Sequence, residues 1–455
     1  MRLSRDLENF SEFEQLTDDI IAFSSLGIRP GLRRVSRLLE ALGSPEKGLR
    51  AIHVLGTNGK GSTAAGMESI LRASGMRTAL YTSPHLVSLQ ERLRIDGSYL
   101  PIDIWRDAWR RLIDAVDCDI ELRSDRPSFF ENFTAVCMLM MSECDVDVAV
   151  IEAGMGGRYD ATSVCCPSAT LINPIGMDHM AYLGSTLEAI AAEKFAAVKS
   201  GVDAFYAADD ESLIPLFVRT CEERNAPFHL LDAMAAPVDA RVEFDGTFFS
   251  YRAHGEEEAV INDLHTPLIG VHQAQNAARV ITTLLALREK NSSFSGICPE
   301  SIRAGLAATD WPGRMEIVQR GEAPVLILDG AHNEHGVRAL IASLAKLCDS
   351  GRKIEVGGIV FAVMRDKDVA PILRRLETLD CPIYCTQLPM ERTLPAYELA
   401  RLVKFANIPV GGVFPDPSDA IAFASETVES SKVLVCCGSL FLVGHLRKSG
   451  FSKNG

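Results

Sequence analysis

Short apolar runs rich in β-branched residues alternate with helix-period segments along most of this 455-residue chain. The runs RAIHVLG (50–56), RTALYTS (77–83), VDVAVIEAG (146–154) and SATLINPIG (168–176) are almost continuously apolar. That pattern predicts strands covered on both faces. Between them lie helical patterns at Ser62–Ser74, closed by Gly75, and at Asn132–Glu143. The alternation predicts an α/β fold whose mostly parallel sheet carries helices on both faces. From about Phe205 to Leu268 the alternation weakens, and charges, turns and runs such as GTFFSYR (246–252) predict an antiparallel addition. A helical segment, Gln273–Arg288, follows. DWPGRME (310–316) then reads as a hinge. Beyond it strands recur at PVLILDGAH (324–332), KIEVGGIVFA (353–362), PIYCTQL (382–388), VGGVFPD (410–416) and KVLVCCGS (432–439). Two domains are expected: residues 1–312, and a smaller Rossmann-like α/β domain at 313–455.

Composition narrows the function classes. Hydrophobic residues at 47% and charged residues at 23% describe a foldable globular chain. A net charge of -14 disfavours nucleic acid, which needs a basic surface. One local cation still suffices for a small anionic ligand. The N-terminal segment carries charges where a signal peptide needs apolar residues, and Val433–Leu446 is too short to span a bilayer. A cytoplasmic protein without membrane attachment is expected. The 12 cysteines sit in apolar runs (Cys137, Cys436, Cys437) and form no C-x-x-C pair, so buried free thiols are expected.

Candidate chemistry centres on HVLGTNGKGST, His53–Thr63. The common phosphate loop, G-x-x-x-x-G-K-[ST], would need glycine at Val54 and a hydroxyl residue at Gly61. Here Gly61 separates Lys60 from Ser62. The segment nonetheless joins a strand end to a helix N-terminus, where unpaired N–H groups and the helix dipole attract anions. Asn58, Gly59, Lys60, Gly61 and Ser62 are the expected phosphate contacts. Lys60 reaches the β- and γ-phosphates, and Ser62 or Thr63 faces a metal or a phosphate oxygen. Ser83 in YTSPHL, Glu152 in VIEAGMGGRYDAT, and Asp178 with His179 in INPIGMDHMAYLG each follow a strand. Hydroxyl, carboxylate and imidazole together suit Mg2+ holding nucleotide phosphates. Lys194, amid alanines in IAAEKFAAVKSG, reads from the residues alone as a surface lysine lying along its helix. Asn276, Arg314, Asp329, His332 and Asn333 are polar candidates of the C-terminal half. An arginine and an acid there, facing the loop, point to catalysis in a cleft between domains.

GTNGKGS, TSPHL, ERLRIDG, FFENFTA, EAGMGGRYDAT, IGMDHMAYLG, EKFAAVKSG, HQAQNAA, WPGRME, LDGAHN, DKD and CGSLFLVG occur in that order. From Ile28 to Leu446 the chain resembles the dihydrofolate synthase/folylpolyglutamate synthase family, within the Mur-ligase-like ATP-dependent amide ligases. The resemblance implies that a pteroate or folate carboxylate attacks ATP, and that L-glutamate then displaces phosphate from the acyl phosphate. It implies two Mg2+ ions, one held by Ser83 and Glu152 and one by Glu152 and His179, and it admits a monovalent cation. Lys194 becomes a carbamylated metal ligand, which replaces the surface reading. Asn276, Arg314 and Asp329 contact ATP, and His332 lies near glutamate. Lys60, Lys194 and His332 are the catalytic set. The pterin pocket takes Ile28, Arg29, Pro30, Gly31, Ser128, Phe129, Phe130, Glu131, Tyr159, Asp160 and Ala161. Partners are dihydropteroate, reduced folates and L-glutamate, acted on by a bifunctional monomer. Ser163, Asn173–Pro174, Phe195–Ala196 and Ala362 depart from the residues this family usually carries. A Mur-type ligase acting on a UDP-linked cell-wall precursor and a non-catalytic nucleotide-binding module are the competing readings.

Overall fold

The computed structural model describes residues 2–25, 27–255, 260–319, 323–349 and 351–452. The chain forms two compact units. One comprises Met1–Ala236, Ala253–Glu258 and Ala277–Leu306, the other Pro237–Arg252, Ala259–Asn276 and Ala307–Gly455.

The first unit is built on β1 (Ala51–Leu55), β2 (Thr78–Tyr81), β3 (Leu93–Ile95), β4 (Ser98–Tyr99), β5 (Val148–Glu152), β6 (Pro167–Ile172), β7 (Asp203–Tyr206) and β8 (Phe228–Leu230). Their order is β4-β3-β2-β5-β1-β6-β7-β8, antiparallel only at β2-β3 and β3-β4. All residues of β1, β2 and β5 are buried. This explains their nearly continuous apolar pattern: a central parallel strand has no solvent face. Below the sheet Trp105 stacks on Phe133 at 5.6 Å, with Phe13 edge-on at 6.1 Å.

Strand–helix alternation runs further than the pattern predicts. The helix Ile214–Glu223 and β7 and β8 continue the parallel sheet to Leu230. Polar positions obscure these strands because they lie toward the sheet edge, where His229 Nε2 bonds Asp203 Oδ1 at 2.8 Å. The antiparallel addition begins only at β9 (Ala235–Glu243) and continues through β10 (Gly246–Ala253) and β11 (Val260–Thr266).

The second unit carries two sheets. A six-stranded one contains β12 (Glu316–Val318), β13 (Val325–Leu328), β16 (Val356–Phe361), β17 (Ile383–Thr386), β18 (Val410–Phe414) and β19 (Val433–Cys437), in the order β12-β13-β19-β16-β17-β18. Only β12 runs antiparallel. The five apolar runs beyond the hinge supply its parallel strands. The other sheet is β11-β10-β9-β14-β15, completed by β14 (Leu347–Asp349) and β15 (Arg352–Lys353). Among the described residues no helix is long and apolar enough to cross a membrane. All 12 cysteines are unpaired. Cys137, Cys436 and Cys437 are buried as expected, whereas Cys118 and Cys166 are exposed.

One close approach fixes the helix that follows β1. A β-carbon at Gly305 would lie 2.4 Å from Ile70 Cα, and Ser69 Oγ donates to the Gly305 carbonyl at 2.7 Å. Backbone blocks the site, so no rotamer change relieves it. Gly305→Ala is expected to lower stability by about 1–3 kcal/mol, read from urea unfolding. Wild-type stability in the variant would show that the two helices separate freely.

Candidate active site

The phosphate loop leaves β1 at Leu55 and enters a helix at Lys60, two residues earlier than the pattern predicts. Gly59 makes that start possible, turning the chain at φ +81°. The loop is fastened to the end of β6. Thr57 N–H donates to the Pro174 carbonyl at 3.0 Å, and Thr57 Oγ1 exchanges hydrogen bonds with the Gly176 backbone at 3.0 and 3.1 Å. Thr63 Oγ1 donates to Asn173 Oδ1 at 3.0 Å. That commitment turns Thr63 toward the sheet, whereas Ser62 beside it is buried at the helix start. Lys60 Nζ folds back to the Thr57 carbonyl at 3.2 Å, above the loop that a phosphate would enter.

Neighbouring strand ends bring the other candidates alongside. Glu152 closes β5 opposite Val54 of β1, is buried, and accepts the Ser83 N–H on Oε2 at 3.1 Å. A buried carboxylate is unfavourable unless paired or metal-bound. Glu152 and Ser83 offer the oxygen ligands that suit Mg2+, which takes one or two protein carboxylates and completes its shell with phosphate and water. Among the described residues no group of three or more His, Cys, Asp and Glu is arranged as a metal cage. His179 is exposed, with φ +51° and its N–H on Asp178 Oδ1 at 2.8 Å.

Lys194 corrects the reading from residues alone. It is no surface lysine: it is buried on the helix Leu187–Phe195 and donates to the Gly56 carbonyl at 2.9 Å. Burial, helped by the nearby charge of Lys60, lowers its pKa to about 7. Burial thus favours the neutral amine over the ammonium. Asp160 is also buried. Its Oδ1 takes the Thr162 N–H at 3.0 Å and its Oδ2 the Met155 N–H at 2.6 Å. Ala161 beside it is buried and Tyr159 is exposed.

The expected pocket residues divide. Ser128 and Glu131 form a capping box on the helix Phe129–Glu143, with Ser128 N–H on Glu131 Oε2 at 2.7 Å. Arg34, which motif reasoning passed over, grips Glu131 with Nε at 3.2 Å and Nη2 at 3.1 Å. Phe129 stacks on Phe133, and the Phe130 ring covers Gly154. Arg29 pairs with Asp125, while Ile28 and Pro30 are exposed and Gly31 is half-buried. Arg92 is a second omission: its guanidinium lies over Phe129 and Phe133, with Nε on His85 Nδ1 at 3.0 Å.

In the second unit the adjacent β12 and β13 gather three candidates. Asp329 Oδ2 accepts the Met315 N–H at 2.9 Å, and Oδ1 the Ala331 N–H at 2.8 Å. The Arg314 guanidinium lies against Gly330, and His332 Nδ1 reaches the Gly330 carbonyl at 2.8 Å. Asn276, on the helix Val271–Lys290, donates to Gln273 Oε1 at 3.2 Å.

Residues 128–284 match the family described as Mur ligase middle domain, and residues 313–440 match Mur ligase, glutamate ligase domain. A relative from Bacillus subtilis (strain 168), dihydrofolate synthase/folylpolyglutamate synthase, is 34% identical over 444 residues, covering 96% of this chain and 99% of its own. The chain belongs to the dihydrofolate synthase/folylpolyglutamate synthase family. A Mycobacterium tuberculosis folylpolyglutamate synthase complexed with ADP and AMPPCP has a TM-score of 0.84 at 29% identity, over 97% of this chain and 98% of that one. Escherichia coli FolC in complex with DHPP and ADP has a TM-score of 0.82 at 26% identity, over 97% and 98%.

Two departures from the usual family residues now have structural accounts. Asn173 supplies the acceptor for Thr63, and its amide donates to the Leu55 carbonyl at 3.3 Å. Phe195, next to Lys194, packs its ring on Tyr206 at 5.1 Å and Phe217 at 5.2 Å in the core.

His53, on the loop's own strand, is the buried titratable group of the site with the plainest pH consequence. Burial lowers its pKa from 6.5 to about 3. Between those values the unfolded chain binds the extra proton and the folded chain does not, so His53 makes stability fall as pH drops through that window. His53→Gln should lose that contribution, with proton uptake on unfolding reduced by about one, measured by urea titrations from pH 6.5 to 4. Identical pH slopes in both proteins would contradict it.

Proposed function

We propose that this chain joins L-glutamate to the carboxylate of dihydropteroate or a reduced folate, driven by ATP, with both reactions run by one site. The observation that carries this reading is the buried Lys194 on the Gly56 carbonyl of the phosphate loop, with buried Glu152 one strand away. Residues 1–312 act as the ATPase and folate-binding domain, and 313–455 as the glutamate-ligase domain.

The loop N–H groups of Asn58–Ser62 and the helix start hold the phosphates, with Lys60 at the γ-phosphate. A substrate carboxylate oxygen attacks the γ-phosphorus and ADP leaves, giving an acyl phosphate. The glutamate amine then attacks the carbonyl carbon, the C–O bond to phosphate breaks, and an amide forms. Ser83, Glu152 and His179 would hold Mg2+, with Lys194 as a carbamate. Bound Mg2+ would supply charge neutralisation at the phosphates. Carbamate formation needs a neutral amine: Nζ attacks the CO2 carbon, an N–C bond forms, and one N–H proton leaves to solvent. Burial of Lys194 supports that step by lowering its pKa to about 7. Asn276, Arg314 and Asp329 serve ATP, and His332 serves glutamate. The pterin and its aryl carboxylate occupy the Ile28–Gly31, Ser128–Glu131 and Tyr159–Ala161 segments. Twelve unpaired thiols suit a cytoplasmic, reducing compartment, and the family resemblance supports a monomer.

Purified protein with MgATP and glutamate should convert both dihydropteroate and tetrahydrofolate to products heavier by one glutamyl residue, read by mass. ATP hydrolysis without either product would reject the ligase reading, and turnover of a UDP-muramyl substrate would favour the cell-wall alternative. Lys60→Ala should reduce turnover about 10²–10³-fold while leaving the urea midpoint unchanged. In 13C-bicarbonate the wild type should show a carbamate resonance that Lys194→Ala lacks. Its absence from the wild type would exclude carbamylation.

A further inference from the structure

The first residue of HVLGTNGKGST lies under the site. His53 is fully buried on β1, and its Nε2 is 2.8 Å from Thr162 Oγ1. Thr162 is equally buried and donates its hydroxyl proton to Asp160 Oδ1. A threonine hydroxyl has a single proton. Because that proton goes to Asp160, the hydroxyl must accept from His53, which therefore carries its proton on Nε2. Nδ1 is then a bare lone pair, consistent with its having no partner among the described residues. The network thus runs in one direction, from imidazole to hydroxyl to carboxylate.

We propose that His53 is a positioning residue for ligation, acting through Thr162 to hold the Asp160 carboxylate in one rotamer as a fixed acceptor for a substrate N–H group. The inference rests on the reading that Asp160 lines the folate pocket. Asp160 needs such support. Burial pushes its carboxyl up, and the Thr162 hydroxyl, the Met155 and Thr162 N–H groups and the Lys60 charge oppose that shift. If the hydroxyl swings away, Asp160 loses a donor in a place where water does not replace it. Burial lowers the imidazole's pKa to about 3, so the ring is neutral, and the arrangement holds, near neutral pH. An aliphatic residue would fill the same strand interior but leave Thr162 free to rotate.

The test compares His53→Gln, His53→Phe, Thr162→Val and the Phe/Val double variant in steady-state assays. Loss of the ordered donor to the Asp160 carboxylate, directly in Thr162→Val and through a freed Thr162 hydroxyl in His53→Phe, is expected to lower kcat/KM for dihydropteroate about ten-fold in each. KM for ATP should stay within about two-fold. The double variant should be no worse than the weaker single, since both break one chain, and Gln, which keeps an N–H donor, should retain most activity. Multiplying effects, equal losses in the ATP constants, or Gln behaving like Phe would each overturn the proposal. Should the Phe variant not fold, 15N NMR of the imidazoles decides. The wild-type His53 signal must show a proton on Nε2 and must shift in Thr162→Val; a proton on Nδ1 overturns the proposal. A wild type with the expected tautomer but no folate-dependent ADP release would count against the functional reading instead.

Discussion

The hydrogen bond from Lys194 to the Gly56 carbonyl sets the geometry of everything around it. It fixes the phosphate loop to a neighbouring helix and removes the amine from water, which lowers its pKa. Two glycines permit it. A β-carbon at Gly56 would lie 2.6 Å from Asn173 Cβ, and one at Gly157 would lie 2.8 Å from the carbonyls of Glu193 and Lys194. The loop is therefore gripped from the β6 side and from the helix side at once. Catalysis by positioning and charge depends on such rigidity, because phosphoryl transfer asks little covalent chemistry of the protein.

Most of the first sheet was legible because a parallel strand covered on both faces leaves a nearly continuous apolar run, as in β1, β5 and β6. β7 and β8 escaped because Asp203 and His229 interrupt the pattern while satisfying each other. The site was legible in its types and not in its contacts. One lysine among alanines has the same pattern whether its stem lies along the surface or points inward, so the burial of Lys194 was invisible to periodicity. Ser62 and Thr63 were equivalent until Asn173, 110 residues away, engaged one of them. Glu131 illustrates the converse. Its S-x-x-E spacing from Ser128 is a capping signature, and its oxygens hold the Ser128 N–H and the Arg34 guanidinium, contacts that a pocket motif does not reveal.

The second unit repeats that lesson. Asp329 appears in a motif as an acid available to a ligand, but both of its oxygens already accept backbone N–H groups, from Met315 and Ala331. The same carboxylate fixes the turn that carries Arg314 and the loop that carries His332. Its worth to a site is therefore organisational before it is electrostatic. A substitution there changes where a guanidinium and an imidazole stand as well as how much charge is present.

The strand order has a consequence for how the protein is made. β1 carries the phosphate loop, yet its partners are β5 and β6, with Ala51 aligned to Ala149 and Pro167. Roughly a hundred residues separate the strand from its first partner, or about 5–20 s of ribosomal synthesis at 5–20 residues per second. Through that interval a strand apolar but for His53, followed by a glycine-rich loop, has emerged without a sheet to join. The order that protects the nucleotide site in the finished molecule leaves its central strand exposed to chaperones and to misassociation in the nascent one.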